Sequence, residues 1–72
     1  MELPDPPWWK PALHERWFHI TADGQIVSEV WTDAPVEHAR WRVGNCFQTR
    51  ADAEHAREQV REAFRRLRSH DA

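Results

Sequence analysis

Glycine and cysteine are the scarcest chemistry in this 72-residue chain: two glycines, Gly24 and Gly44, and one cysteine, Cys46. Two isolated glycines leave no glycine-rich loop to cradle a phosphate. A single cysteine cannot close a disulfide within the chain, and a lone thiol fits a reducing compartment. No run approaches the ~20 apolar residues that a membrane-spanning helix requires. Charge of one sign is also lacking. Ten Lys and Arg stand against twelve Asp and Glu, a net of −2. A nonspecific nucleic-acid binder carries a basic excess and a DNA mimic an acidic one, and neither is present across the chain as a whole. The start, Met1 to Pro7, is acidic and proline-rich, the wrong chemistry for a signal peptide. These absences together predict a cytoplasmic protein with no membrane partner.

Aromatic rings are abundant instead: five Trp and three Phe. A chain this short buries only about 60% of the surface its unfolded form exposes, so large rings are the natural compensation. Residues 1–15 hold four of the five prolines, which predicts an extended arm carrying Trp8 and Trp9. Either one of those indoles folds back onto the domain, or the pair together projects as an anchor for a partner. From residue 16 to 72 the pattern is that of one α+β domain of ββ(β)α order, a β-hairpin or three-stranded sheet packed on a long C-terminal helix. Trp17 to Thr21 and Ile26 to Trp31 are β-rich runs around Asp23-Gly24, a hairpin signal. Pairing Ile20 with Ile26 through a type I turn and a left-handed Gly24 puts Phe18, Ile20, Ile26 and Val30 on one face, expected to be the core. Trp17, His19, Val27, Glu29 and Trp31 fall on the opposite face, expected to be a binding surface or to lie beneath the arm.

Asp33 to Arg40 reads as a connection with a helical turn, Asp33 being the expected cap and Pro35 an early helical residue. Gly44-Asn45 marks a turn, and Cys46-Phe47-Gln48 a short third strand. The final helix is the best specified. Thr49 is the expected N-cap, and no Pro or Gly interrupts the chain from Arg50 to Arg68. Ala53, Ala56, Val60, Ala63, Phe64 and Leu67 share one stripe, expected to be core. On that reading Phe64→Ala costs about 3–5 kcal/mol. Glu58 with Arg61, and Glu62 with Arg65 and Arg66, stand at pairing distances, and the chain should fray from Ser69 to Ala72.

No constellation for catalysis emerges, and the chain is expected not to be an enzyme. Cys46 has no base beside it in sequence and reads as a small buried hydrophobe. His14, His19, His38, His55 and His70 lack the spacing of a metal site, so neither metal nor cofactor is expected. Arg57, Arg61 and Arg65, with Arg68, form a basic edge. Beside outward aromatics, that edge is the recipe for a nucleic-acid contact, although an acidic row runs next to it.

The run Gly44-Asn45, Phe47, Thr49, Ala53, preceded by the aromatic strand, the Asp23-Gly24 turn, a strand ending in Trp31, and Arg40, resembles a signature of small phage and prophage proteins of unknown function, G-N-x-F-x-T-x-x-x-A. The likeness covers about residues 16–64 and reads largely as a folding motif. It implies a setting: a small protein that binds a host protein or complex, including inhibitors of host defence such as anti-CRISPR proteins. The expected partner-binding residues are Trp8, Trp9, Trp17, His19 and Trp31. The alternatives are a nucleic-acid contact through Arg57, Arg61 and Arg65, and a homodimer that buries the indoles.

Overall fold

The computed structural model describes residues 4–69. Two strands, β1 (Arg16–Ile20) and β2 (Ile26–Val30), form an antiparallel hairpin, followed by helix α1 (Pro35–Arg42) and helix α2 (Arg50–Ser69). This is the expected α+β arrangement, with a short second helix. Ile20 pairs with Ile26. The Thr21 carbonyl accepts from the Gly24 N–H at 3.0 Å, and the Gln25 carbonyl from the Thr21 N–H at 2.8 Å. Gly24 has φ of +85°, a value glycine adopts at no steric penalty, and this fixes the register.

The third strand is reduced to one bridge. The Phe47 N–H and carbonyl bond the Phe18 carbonyl and N–H, each at 2.9 Å. Asn45 extends that edge with its side chain. Its carboxamide oxygen accepts from the Ile20 N–H at 2.8 Å, and its nitrogen donates to the Ile20 carbonyl at 2.7 Å. A side-chain amide thus does the work of a strand residue. It is delivered there by the end of α1, where the Asn45 N–H reaches the Arg40 carbonyl and the Gly44 N–H the Trp41 carbonyl. Those two bonds form a Schellman motif, with Gly44 left-handed at φ +89°.

The faces of the hairpin are the main correction. Trp17 and Trp31, expected on the outer face, are 0% and 1% exposed and form the core with Trp41 and Cys46, against which Trp9 packs. α1 and the N-terminal arm cover this face. The face of Phe18, Ile20 and Ile26 is only half buried, and Val30 is exposed. It meets the first half of α2, where Ala53 is fully buried and Arg57 donates to the Gly24 carbonyl at 3.2 Å. The hairpin is therefore a partition with a cover on each side.

α2 starts as expected, with the Asp52 N–H on the Thr49 hydroxyl at 3.1 Å. Its stripe does not continue as core. Val60, Phe64 and Leu67 are 49%, 61% and 62% exposed. Length explains this. Twenty helical residues span about 30 Å, and five strand residues about 17 Å, so the helix outruns the sheet. Arg61 pairs with Glu58, and Arg65 and Arg66 with Glu62, as the spacing predicts. Of the segment expected to fray, Ser69 closes the helix on the Arg65 carbonyl, and residues 70–72 lie outside the described residues.

Thr49→Ala is expected to lower stability by about 1 kcal/mol through loss of the cap. Phe64→Ala, contrary to the stripe reading, should stay within about 0.5 kcal/mol of wild type, as exposed positions do. Urea melts of the two variants, followed by circular dichroism, check the pair. A large loss at Phe64 would place that ring against the sheet.

Candidate functional site

The residues expected to meet a partner divide into two groups. Trp17, His19 and Trp31 belong to the core and present no surface. Trp17 and Trp31 meet edge to face, centroids 5.5 Å apart at 75°, and Trp17 lies 5.0 Å from His19. Of the polar ends of this cluster, only the Trp31 indole closes a hydrogen bond among the described residues. The Trp31 indole N–H donates to Asp33 at 2.7 Å, and His38 Nε2 lies 3.1 Å from the same oxygen. Asp33 does not cap α1 as expected. Its carboxylate is held low, first by the Trp31 indole and then by His38, and its backbone takes a left-handed φ of 63°. The N-cap is Ala34, whose N–H donates to Glu37.

Glu37 is a buried carboxylate that sequence reading missed. One of its oxygens accepts from the Thr32 N–H and hydroxyl, both at 2.8 Å, and from the Ala34 N–H at 2.9 Å. Burial alone would raise its carboxyl. The bonds from Ala34 and Thr32 outweigh burial, helped by the Trp17 indole N–H, which lies near without closing a bond of ordinary geometry, and they hold the group below the usual range. His19, 3% exposed, stands 3.3 Å from Glu29, off line for a hydrogen bond. Burial lowers its pKa, Arg40 lowers it further, and Glu29 partly offsets both. Burial pushes the Cys46 thiol up to about 11, with the Glu37 charge adding to the shift. That thiol is inert as a nucleophile at neutral pH.

Trp8, by contrast, remains at the surface, and Trp9 is half buried. The arm is fixed by the Trp8 indole N–H, which donates to the Trp41 carbonyl at 2.6 Å, by Arg42 at 3.4 Å from Asp5, and by Lys10 at 4.9 Å from the centre of the Trp41 ring. Trp9 folds back on the core, the first of the two readings of the pair, and Trp8 stays 45% exposed. Together with Phe47 and Asp52 they line a hollow of about 350 Å³.

The second exposed feature is the overhanging half of α2. Phe64 and Leu67, with Arg61, Arg65 and Arg68, line an open groove of about 580 Å³. On the inner side Val60 and Phe64 approach Ile20 and the hairpin turn. Of the three arginines expected to contact nucleic acid, Arg57 is committed to the Gly24 carbonyl, whereas Arg61 and Arg65 sit exposed beside their glutamates. Among the described residues no three His, Cys, Asp or Glu side chains gather, and no helix is long and apolar enough to cross a membrane. Comparison with known proteins gives no matching family model, no matching curated protein and no matching solved structure.

Two outcomes test this placement. Trp17→Ala should cost about 3–5 kcal/mol, which in a domain this small abolishes folding at ambient temperature. Stability should also fall with acid from near neutrality. The folded His19 takes a proton less readily than its ordinary value of 6.5. Below that value the unfolded chain therefore binds the extra proton, and folding loses free energy until pH passes the lower folded value. The drop in Tm between pH 7.5 and pH 5.5 should be larger for wild type than for His19→Phe. Equal drops would show that His19 is not the group responsible.

Proposed function

We propose that this chain is a non-catalytic protein-binding module whose docking element is the overhanging half of α2. The carrying observation is the exposure of Val60, Phe64 and Leu67 on a helix end that has outrun its own sheet. They stand at i, i+4 and i+7, the anchor spacing by which an amphipathic helix seats in an apolar groove. Exposed apolar surface of this continuity marks an interaction site.

Charge supports the kind of groove. Residues 60–69 contain four Arg and one Glu, a net of +3, whereas the whole chain is −2, so the remainder carries −5. A groove with an acidic rim complements that end. A second copy of α2 does not. Arg61, Arg65 and Arg68 all fall on the same flank of the stripe, and two antiparallel helices would bring those flanks together. The non-catalytic reading is supported by the raised Cys46 thiol and by the commitment of Glu37 to backbone donors. The resemblance to phage and prophage proteins adds a setting, with a host protein complex as the partner and inhibition of host defence as the role. The nucleic-acid alternative draws on the same arginines, but Arg57 is already spent on the fold.

Capture from a bacterial lysate on immobilised chain, with mass spectrometry of what is retained, tests the module. Phe64→Glu should abolish retention of the partner while leaving the circular dichroism spectrum unchanged. Cys46→Ser should leave retention intact. Affinity should fall only modestly between 50 and roughly 200 mM salt, because a phosphate-driven contact would lose orders of magnitude over that range. Retention indifferent to Phe64→Glu would overturn the assignment to α2.

A further inference from the structure

The hollow between the N-terminal arm and the start of α2 has a chemistry that the docking helix does not share. Three aromatic side chains, Trp8, Trp9 and Phe47, and one carboxylate, Asp52, surround about 350 Å³, with Gly44, Cys46 and Gln48 completing the wall. Each of the four is anchored to the fold. Trp8 is tied through its indole N–H to the Trp41 carbonyl, and Trp9 packs on the core. Phe47 is bonded both ways to Phe18, and Asp52 sits in the capped first turn of α2. A site so fixed loses little freedom when it binds.

Trp8 is exposed, and Trp9 and Phe47 are half buried. None of the three rings stacks on another aromatic ring among the described residues. The chain's own cations settle on neighbouring rings: Lys10 and Arg42 over Trp41 at 4.9 and 5.5 Å, and Arg50 over Phe18 at 5.8 Å. None lies over Trp8, Trp9 or Phe47 among the described residues, and Asp52 makes no ion pair there. Asp52 is the one charged side chain in the wall, and its full carboxylate exceeds the roughly half positive charge of the helix start beside it. Electron-rich ring faces and one anionic group select a cation. The wall is mostly carbon, and a primary ammonium would surrender hydration that Asp52 alone cannot replace. A quaternary ammonium is weakly hydrated and needs no hydrogen bonds.

We propose that this hollow binds a quaternary ammonium group, caged by Trp8, Trp9 and Phe47 and neutralised by Asp52. The inference stands apart from the docking role of α2, and the probe reads the two separately. The full chain is titrated with choline and, in parallel, with its neutral isostere 3,3-dimethylbutan-1-ol, following the indole N–H resonances of Trp8 and Trp9. Choline should shift them saturably and bind more tightly than the isostere. Trp8→Leu and Asp52→Asn should each weaken choline by about two- to fivefold, the scale of an exposed cation–π contact or ion pair. Phe64→Glu should leave the titration unchanged. A trimethyllysine peptide run as a third arm separates a protein-borne source, which should then outbind choline, from a small-molecule one, which should not. Equal response to choline and the neutral isostere, or a response that Asp52→Asn leaves untouched in a folded protein, overturns the proposal.

Discussion

Burial of the Trp17 and Trp31 rings on one side of a two-stranded sheet is the constraint from which the remaining structure follows. A hairpin has two faces, and one amphipathic helix covers only one of them. Large rings packed edge to face demand a second cover of comparable bulk, each ring removing roughly 150–250 Å² from water. α1 and the arm supply it through Trp41 and Trp9. Two of the rings bring their polar edges to carboxylates: the Trp31 indole donates to Asp33, and that of Trp17 lies near Glu37. Glu37 in turn gathers the Thr32 and Ala34 amides and so sets where α1 begins. Once α1 is placed, its Schellman end swings Asn45 onto the Ile20 backbone. A packing requirement in the core is thereby carried through one carboxylate and one helix to the edge of the sheet.

The run Gly44, Asn45, Phe47, Thr49, Ala53 has a fold assignment at every letter. Gly44 takes the left-handed position after α1, and Asn45 substitutes for a strand residue. Phe47 bridges to Phe18, Thr49 caps α2, and Ala53 allows the helix to approach the sheet. Five residues in ten close one helix, complete a sheet edge and open the next helix. Such a run specifies architecture without specifying a ligand.

What was legible in the sequence was local. The register followed from Asp23-Gly24 and the hydrophobic alternation, the start of α2 from Thr49, and its ion pairs from three- and four-residue spacing. The assignment of faces was not legible, because α1 conceals its role. Pro35–Arg42 has no apolar stripe. Its two buried residues are Glu37 and Trp41, at i and i+4, and a glutamate does not read as core until its donors are known. With α1 discounted, α2 is the one helix with an apolar stripe to match a face, and the β-branched face reads as its partner. The exposure of Phe64 and Leu67 has its sign in element length: a helix of about 30 Å cannot be covered by strands of about 17 Å.

The same disproportion separates the half of α2 that holds the fold from the half proposed to dock. The aromatic side of the hairpin holds the fold, whereas the last ten residues of α2 contribute little to it. Unsupported helices shorter than about 12–15 residues are marginal in water. This half is continuous with a capped, packed first half, and the Glu58–Arg61 and Glu62–Arg65 pairs each add a few tenths of a kcal/mol. Val60, Phe64 and Leu67 are therefore presented on a helix that is already nucleated, and a groove that receives them need not supply the ordering of its first turn. Because these side chains are not needed by the core, they can be altered to suit a partner without loss of the fold.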